Sequence, residues 1–197
     1  MTRSPVVLAI AAAFLVSCAT KQLALAPATA APPDWWREHV RFMCADGGAW
    51  ITPNPQAPEA PGGPDAYGMT WTRASHGRLL TGRLYGLKEG REVAEYWTFN
   101  EYYHAGEGRV IVQQWSSWGA YGEGETTSPA PNRCQLDQTF WLADGSSRRE
   151  GHRTMENGDE YETQIYDIDA EGKWSLRDSN TWRRAQRSAD TWSERVR

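Results

Sequence analysis

Turn signals at Glu89-Gly90, Gly106 to Gly108, Asp144-Gly145, Asn157-Gly158 and Glu171-Gly172 separate runs rich in Val, Thr, Trp and Tyr along most of this chain. Tight turns of this kind join neighbouring antiparallel strands, so the chain from residue 48 onward reads as a meander. The runs predict strands at 48–52, 67–75, 78–87, 91–103, 109–118, 134–143, 147–156, 159–168 and 173–184. About nine sequential antiparallel strands leave two long edges exposed unless the sheet closes. The predicted fold is therefore all-β, an up-and-down barrel or strongly curved sheet, with one short N-terminal helix.

Successive strand residues point to opposite faces, so parity reports which side chains look inward. In the last strand Trp174, Leu176, Asp178, Asn180 and Trp182 share one parity and oppose Lys173, Arg177 and Arg183, which turns Trp174 and Trp182 inward. The same reasoning groups Leu136, Gln138, Phe140 and Leu142, and groups Tyr161, Thr163 and Ile165. Both faces of 91–103 carry aromatics, and its inward set stays open at this level. The inward parities also carry Gln138, Asp178 and Asn180, and the run 147–156 places Arg148, Glu150 and His152 on one face. A buried Asp is costly unless paired, so either these groups meet partners or water or a ligand fills part of the interior. Trp174, Trp182, Phe140, Asp178 and Asn180 are the expected ligand-lining residues.

The N-terminus has the order of a secretory leader: Arg3, a mostly apolar run from Val6 to Val16, then Ser17 before Cys18. The run is too short to span a bilayer. Leu15-Val16-Ser17-Cys18 resembles the bacterial lipobox, which implies a diacylglycerol on Cys18, cleavage after residue 17 and further acylation of the new terminus. Two or three acyl chains give stable anchoring where one does not. Ala19 in place of aspartate resembles the pattern sorted to the outer membrane, so the resemblance implies an envelope protein held on the periplasmic side of that membrane. The expected organisation is a leader at 1–17, an Ala/Pro-rich tether at 18–33, a barrel domain at 34–184 and a basic tail at 185–197.

Pro32-Pro33-Asp34 ends the tether and offers a helix N-cap, after which Trp36, Val40, Met43 and Cys44 fall on one helical face. With Cys18 assigned to lipid, Cys44 and Cys134 are left in an oxidising compartment, and the expectation is a disulfide that pins the helix to the sheet. No metal site is expected, since neither cysteine has a second cysteine or histidine at ligand spacing.

A proline-rich insertion at 52–65 reads as a lid, and 119–133 as a second irregular loop. The strand order with a long first loop resembles the calycins, the lipocalin and fatty-acid-binding group, whose antiparallel barrels hold apolar or amphipathic molecules. The spacing of Gly48-Ala49-Trp50 at the first strand is read as departing from the Gly-x-Trp signature of lipocalins, and the Gly-x-Trp-x-Gly run of the haem-binding barrels is not found. Arg83-Leu84-Tyr85 resembles the carboxylate clamp of fatty-acid-binding barrels but lies early in the chain, and the role is not transferred.

Eleven Trp and eight Tyr can be bulky core, can line a cavity, or can stack on sugar rings from an outer face. Trp115 and Trp118 have opposite parity, so both cannot face the core. Glu101 and His104 could form an acid/base pair, but there is no nucleophile elbow, His-Glu-x-x-His helix or phosphate-cradling loop. The net charge of −4, with signs interspersed, argues against a nucleic-acid partner. The sequence thus favours a monomeric binding protein, without cofactor, for a small apolar or amphipathic ligand. A glycan- or protein-binding assembly module comes next, and a lyase or isomerase using His104 and Glu101 third.

Overall fold

The computed structural model describes residues 31–59 and 62–185. The leader, Cys18, most of the tether and all but the first residue of the tail lie outside the described residues. Ten antiparallel strands close into one up-and-down barrel. They are β1 (Ala49–Pro53), β2 (Ala66–Ala74), β3 (Leu79–Lys88), β4 (Arg91–His104), β5 (Arg109–Ser116), β6 (Tyr121–Ala130), β7 (Arg133–Trp141), β8 (Ser147–Asn157), β9 (Glu160–Ile168) and β10 (Trp174–Arg184). Each strand pairs with its sequence neighbours, and β1 closes the ring by pairing with β10 at Trp50↔Arg184 and Ile51↔Arg183. The closed antiparallel meander is consistent with a calycin-like barrel.

The tenth strand is β6, which occupies the stretch expected to be an irregular loop. Its inward positions are Gly122, Gly124 and then Thr126, and a Cβ on Gly122 would stand 2.4 Å from the Phe140 ring. The strand is selected for small residues where bulky neighbours need the space, and so it lacks an apolar pattern.

The helix α1 (Asp34–Cys44) plugs one end of the barrel, called the floor here; the loops joining β1 to β2, β5 to β6 and β7 to β8 ring the other end, the mouth. Pro33 is the N-cap and makes no side-chain cap bond; Asp34 lies instead in the first turn, where it pairs with Arg37 and suits the positive end of the helix dipole. The buried residues of α1 are Trp36, His39, Val40 and Met43, a three-and-four spacing that keeps them on one face. Trp36 is fully buried, and its indole N–H donates to the Gly77 carbonyl at 3.0 Å. Among the described residues, no helix is long and apolar enough to cross a membrane.

Gly48-Ala49-Trp50 does have Gly-x-Trp spacing, and it ties α1 to the barrel seam. Gly48 adopts φ +68°, and a Cβ there would lie 2.1 Å from the Trp71 carbonyl oxygen, so only glycine fits. Trp50 is fully buried, donates to the Met43 carbonyl at 3.0 Å and carries the Arg184 guanidinium 4.2 Å above its ring. Arg184 also donates to the Ala45 carbonyl at 3.0 Å, so one cation joins the last strand, the first strand and the C-terminal end of α1.

Two inward assignments change. A bulge between Leu176 and Asp178 shifts the β9–β10 register, so Asp178, Asn180 and Trp182 face the interior while Leu176 is exposed. Trp174, beyond the bulge, lies on the outer face against Tyr166 and Arg153, in the space a Cβ on Gly151 would need. The open question of β4 resolves to Trp97, Phe99, Glu101 and Tyr103 inward.

Candidate functional site

The barrel encloses a cavity of about 470 Å³ that reaches from α1 to the mouth. This lies in the range of small-molecule sites, about 300–1,000 Å³. Its two walls differ chemically. From β2 to β5 the lining is mainly apolar, with Tyr67, Met69, Trp71, Leu84, Trp97, Phe99 and Val112. From β8 to β10 it is mainly polar, with Arg148, Glu150, His152, Thr154, Thr163, Arg177, Asp178 and Asn180. Phe140 of β7 lies between them and meets the edge of Trp97 at 5.3 Å.

The polar wall is organised around Glu150. Its carboxylate is buried, accepts from His152 Nε2 at 2.9 Å, lies 3.3 Å from Arg148 Nη2 and accepts from Arg177 Nη2. Burial alone would push the Glu150 carboxyl up; the His152 hydrogen bond and charge, then those of Arg177, outweigh it and hold the group at about 2. Arg177 also donates to Asp167 at 2.6 Å. Deeper in, Gln114 donates to Gln138 Oε1 at 2.8 Å, and the buried Gln138 Nε2 has no protein partner among the described residues.

A second buried cluster sits at the floor. His39 Nδ1 is 2.6 Å from Glu156 Oε1 and 3.6 Å from Cys134 Sγ, and His39 Nε2 is 3.5 Å from Glu101 Oε2. Burial pulls the His39 pKa down, but the charge and hydrogen bond of Cys134, with the hydrogen bonds of Glu101 and Glu156, raise it well above the ordinary value. His39 and Cys134 both line the cavity.

Of the expected ligand-lining residues, Trp182, Phe140, Asp178 and Asn180 line the cavity and Trp174 does not. The expected disulfide is absent: Cys44 and Cys134 are both free thiols. The helix turns Cys44 toward the Arg73 backbone, where burial pushes its thiol pKa up, whereas His39, further back on the helix, meets Cys134. The proposed acid/base pair also separates, because Glu101 faces inward to His39 while His104, at opposite parity, is half-buried on the outside beside Glu107. Arg83 and Tyr85 pack together on the outer face, Arg83 being held by Glu92 and Glu95, and only Leu84 of that triplet reaches the cavity. The first loop contributes Asn54, Pro55 and Gln56 to the rim. Trp118 lines the mouth against Trp97 at 5.0 Å, whereas Trp115 is exposed on the outside.

His39 is the residue that sequence reasoning passed over. Its position between Trp36 and Met43 on the apolar face of the helix was the signal that could have found it; its partners, 62 to 117 residues away, carried none. No protein-family model matches this chain, and no curated protein matches it in sequence. The fold and cavity define a class, a closed antiparallel barrel with an amphipathic interior. They are compatible with ligand binding.

Proposed function

We propose that this protein is an envelope lipoprotein, anchored through Cys18 on the periplasmic side of the outer membrane, that binds a small amphipathic molecule inside its barrel. The carrying observation is the division of the cavity into an aromatic and aliphatic wall on β2–β5 and a hydrogen-bonding wall on β8–β10. A ligand with one apolar face and one polar edge matches that division; a purely apolar one leaves the polar wall unanswered.

The test is titration with anilinonaphthalene sulfonate, an amphipathic fluorescent probe, on the unaltered protein and on Leu84→Trp, which fills the cavity from its apolar wall. The reading expects saturable one-to-one binding that weakens at least about tenfold in Leu84→Trp. Unsaturable binding, or equal affinity in the two proteins, overturns it. For the anchor, Cys18→Ser is expected to lose palmitate labelling, and normal labelling of that variant refutes the lipobox.

A second reading has its own observation. Trp115, Tyr121 and Trp141 are directly opposite one another on β5, β6 and β7, with ring centroids 5.7 and 5.6 Å apart, and both tryptophans are exposed. A ladder of rings on an outer face is suited to stacking on sugars. Retention on peptidoglycan that disappears in Trp115→Ala and Trp141→Ala would favour this reading; retention that survives both changes counts against it.

A further inference from the structure

The floor cluster gathers one imidazole, one thiol and two carboxylates, from four separate elements, at the buried end of the cavity. His39 comes from α1, Glu101 from β4, Cys134 from β7 and Glu156 from β8, and each side chain is at most about 8% exposed. Three donor atoms, His39 Nδ1, Cys134 Sγ and one Glu156 oxygen, all lie within 4.8 Å of one another. Two of them compete for a single nitrogen: Glu156 and Cys134 both approach Nδ1, at 2.6 and 3.6 Å, while Glu101 engages the opposite ring nitrogen. One imidazolium can satisfy one carboxylate on each side, and the thiol is then left without a strong partner. Burying negative groups in such excess is costly unless a further cation joins them.

We infer that this cluster is a zinc site, with His39 Nδ1, Cys134 Sγ and Glu156 as ligands and the fourth position turned toward the barrel cavity. The donor set suits the ion: zinc takes nitrogen, sulfur and oxygen ligands together, at about 2.0–2.3 Å, in tetrahedral geometry. Such bonds place donor atoms roughly 3.3–3.8 Å apart. The Sγ–Nδ1 separation of 3.6 Å already matches; the Nδ1–Oε1 hydrogen bond opens as its proton leaves, and the Glu156 carboxylate, within 4.8 Å of the other donors, turns to close on the ion. The ion displaces the Nδ1 and thiol protons to solvent, while the Nε2 proton stays and is donated to Glu101. Glu101 is then a positioning residue, fixing the ring so that Nδ1 is the ligating nitrogen, as carboxylates behind metal-bound histidines do. His39 and Cys134 line the cavity, so the open position meets whatever the barrel holds. Three protein ligands and one open position is the arrangement of zinc sites that act on a bound molecule rather than only brace a fold. The inference stands on the cluster alone and does not depend on the identity of the cavity ligand.

Cobalt(II) tests it, since a thiolate ligand gives a charge-transfer band and tetrahedral geometry gives intense visible bands. The reduced full-length protein is expected to take up one Co²⁺ with both signatures, and stoichiometric Zn²⁺ is expected to bleach them. Cys44→Ser should leave the spectrum unchanged, Cys134→Ser should remove the charge-transfer band, and Glu101→Gln should weaken affinity roughly 10–100-fold with the band retained. Absence of a thiolate band in the unaltered protein overturns the assignment, and so does a band that persists in Cys134→Ser. Glu101→Gln binding as tightly as the unaltered protein overturns the positioning role.

Discussion

The two ends of the cavity each hold a buried carboxylate against a histidine, and they balance charge in opposite ways. At the mouth one carboxylate, Glu150, is met by His152 and by the guanidiniums of Arg148 and Arg177, the latter shared with Asp167, so hydrogen-bond donors converge on it. At the floor one imidazole, His39, is met by Glu101, Glu156 and the Cys134 thiol, so donors are in excess. The mouth is a completed ion network that fixes the polar wall; the floor is a set of donors that gains from a cation. Burial differs as well. Arg148 at the mouth is half-exposed, whereas the floor cluster is buried beneath α1, with the Trp36 ring beside His39.

The largest expected effect is at the floor. Trp36→Ala removes a fully buried indole from the plug and is expected to destabilise the protein by about 3–5 kcal/mol, read as a fall in the urea midpoint. A loss under about 1 kcal/mol would mean that the plug is not part of the cooperative fold.

Acid separates the two ends next. Because the folded-state Glu150 pKa is depressed from its ordinary 4.5 to about 2, the stability it confers is fully present above that ordinary value and is lost as pH falls toward 2. The shift corresponds to about 3 kcal/mol. The stability gap between the unaltered protein and Glu150→Gln should therefore be widest near neutrality and should shrink by about that amount on acidification. A gap that stays constant with pH would show that the mouth network is not what holds Glu150 ionised.

The smallest expected effect marks the contrast between cavity and outer surface. Trp115→Ala should cost about 1 kcal/mol or less and leave anilinonaphthalene sulfonate binding unchanged, because that ring is on the outside of the barrel. A change in probe affinity would mean that the probe reports the outer ladder rather than the interior.

Much of the scaffold was legible because it rests on local chemistry. Turn residues with positive φ, such as Gly90, Gly145, Gly158 and Gly172, stand where the sequence places turns, and the period-two pattern oriented Phe140, Asn180 and Trp182 correctly. The polar wall was legible too, since Arg148, Glu150 and His152 on one parity do not describe a dry core. The failures share a cause, which is dependence on a neighbour the local pattern does not show. β6 is poor in apolar residues because its inward glycines make room for Phe140 and Gln138, so it read as a loop. Trp174 faces out because one extra residue in β10 resets the alternation. The floor cluster joins His39 to Cys134 across 95 residues, and no spacing rule reaches that far.

The central claim is that the barrel interior is a binding site. It is tested most directly by native mass spectrometry of the protein purified in mild detergent from the cells that make it, alongside Leu84→Trp prepared in the same way. The account predicts one small molecule retained per chain by the unaltered protein and little or none by Leu84→Trp. An unaltered protein at its bare mass, or one whose retained molecule is undiminished in Leu84→Trp, would contradict it.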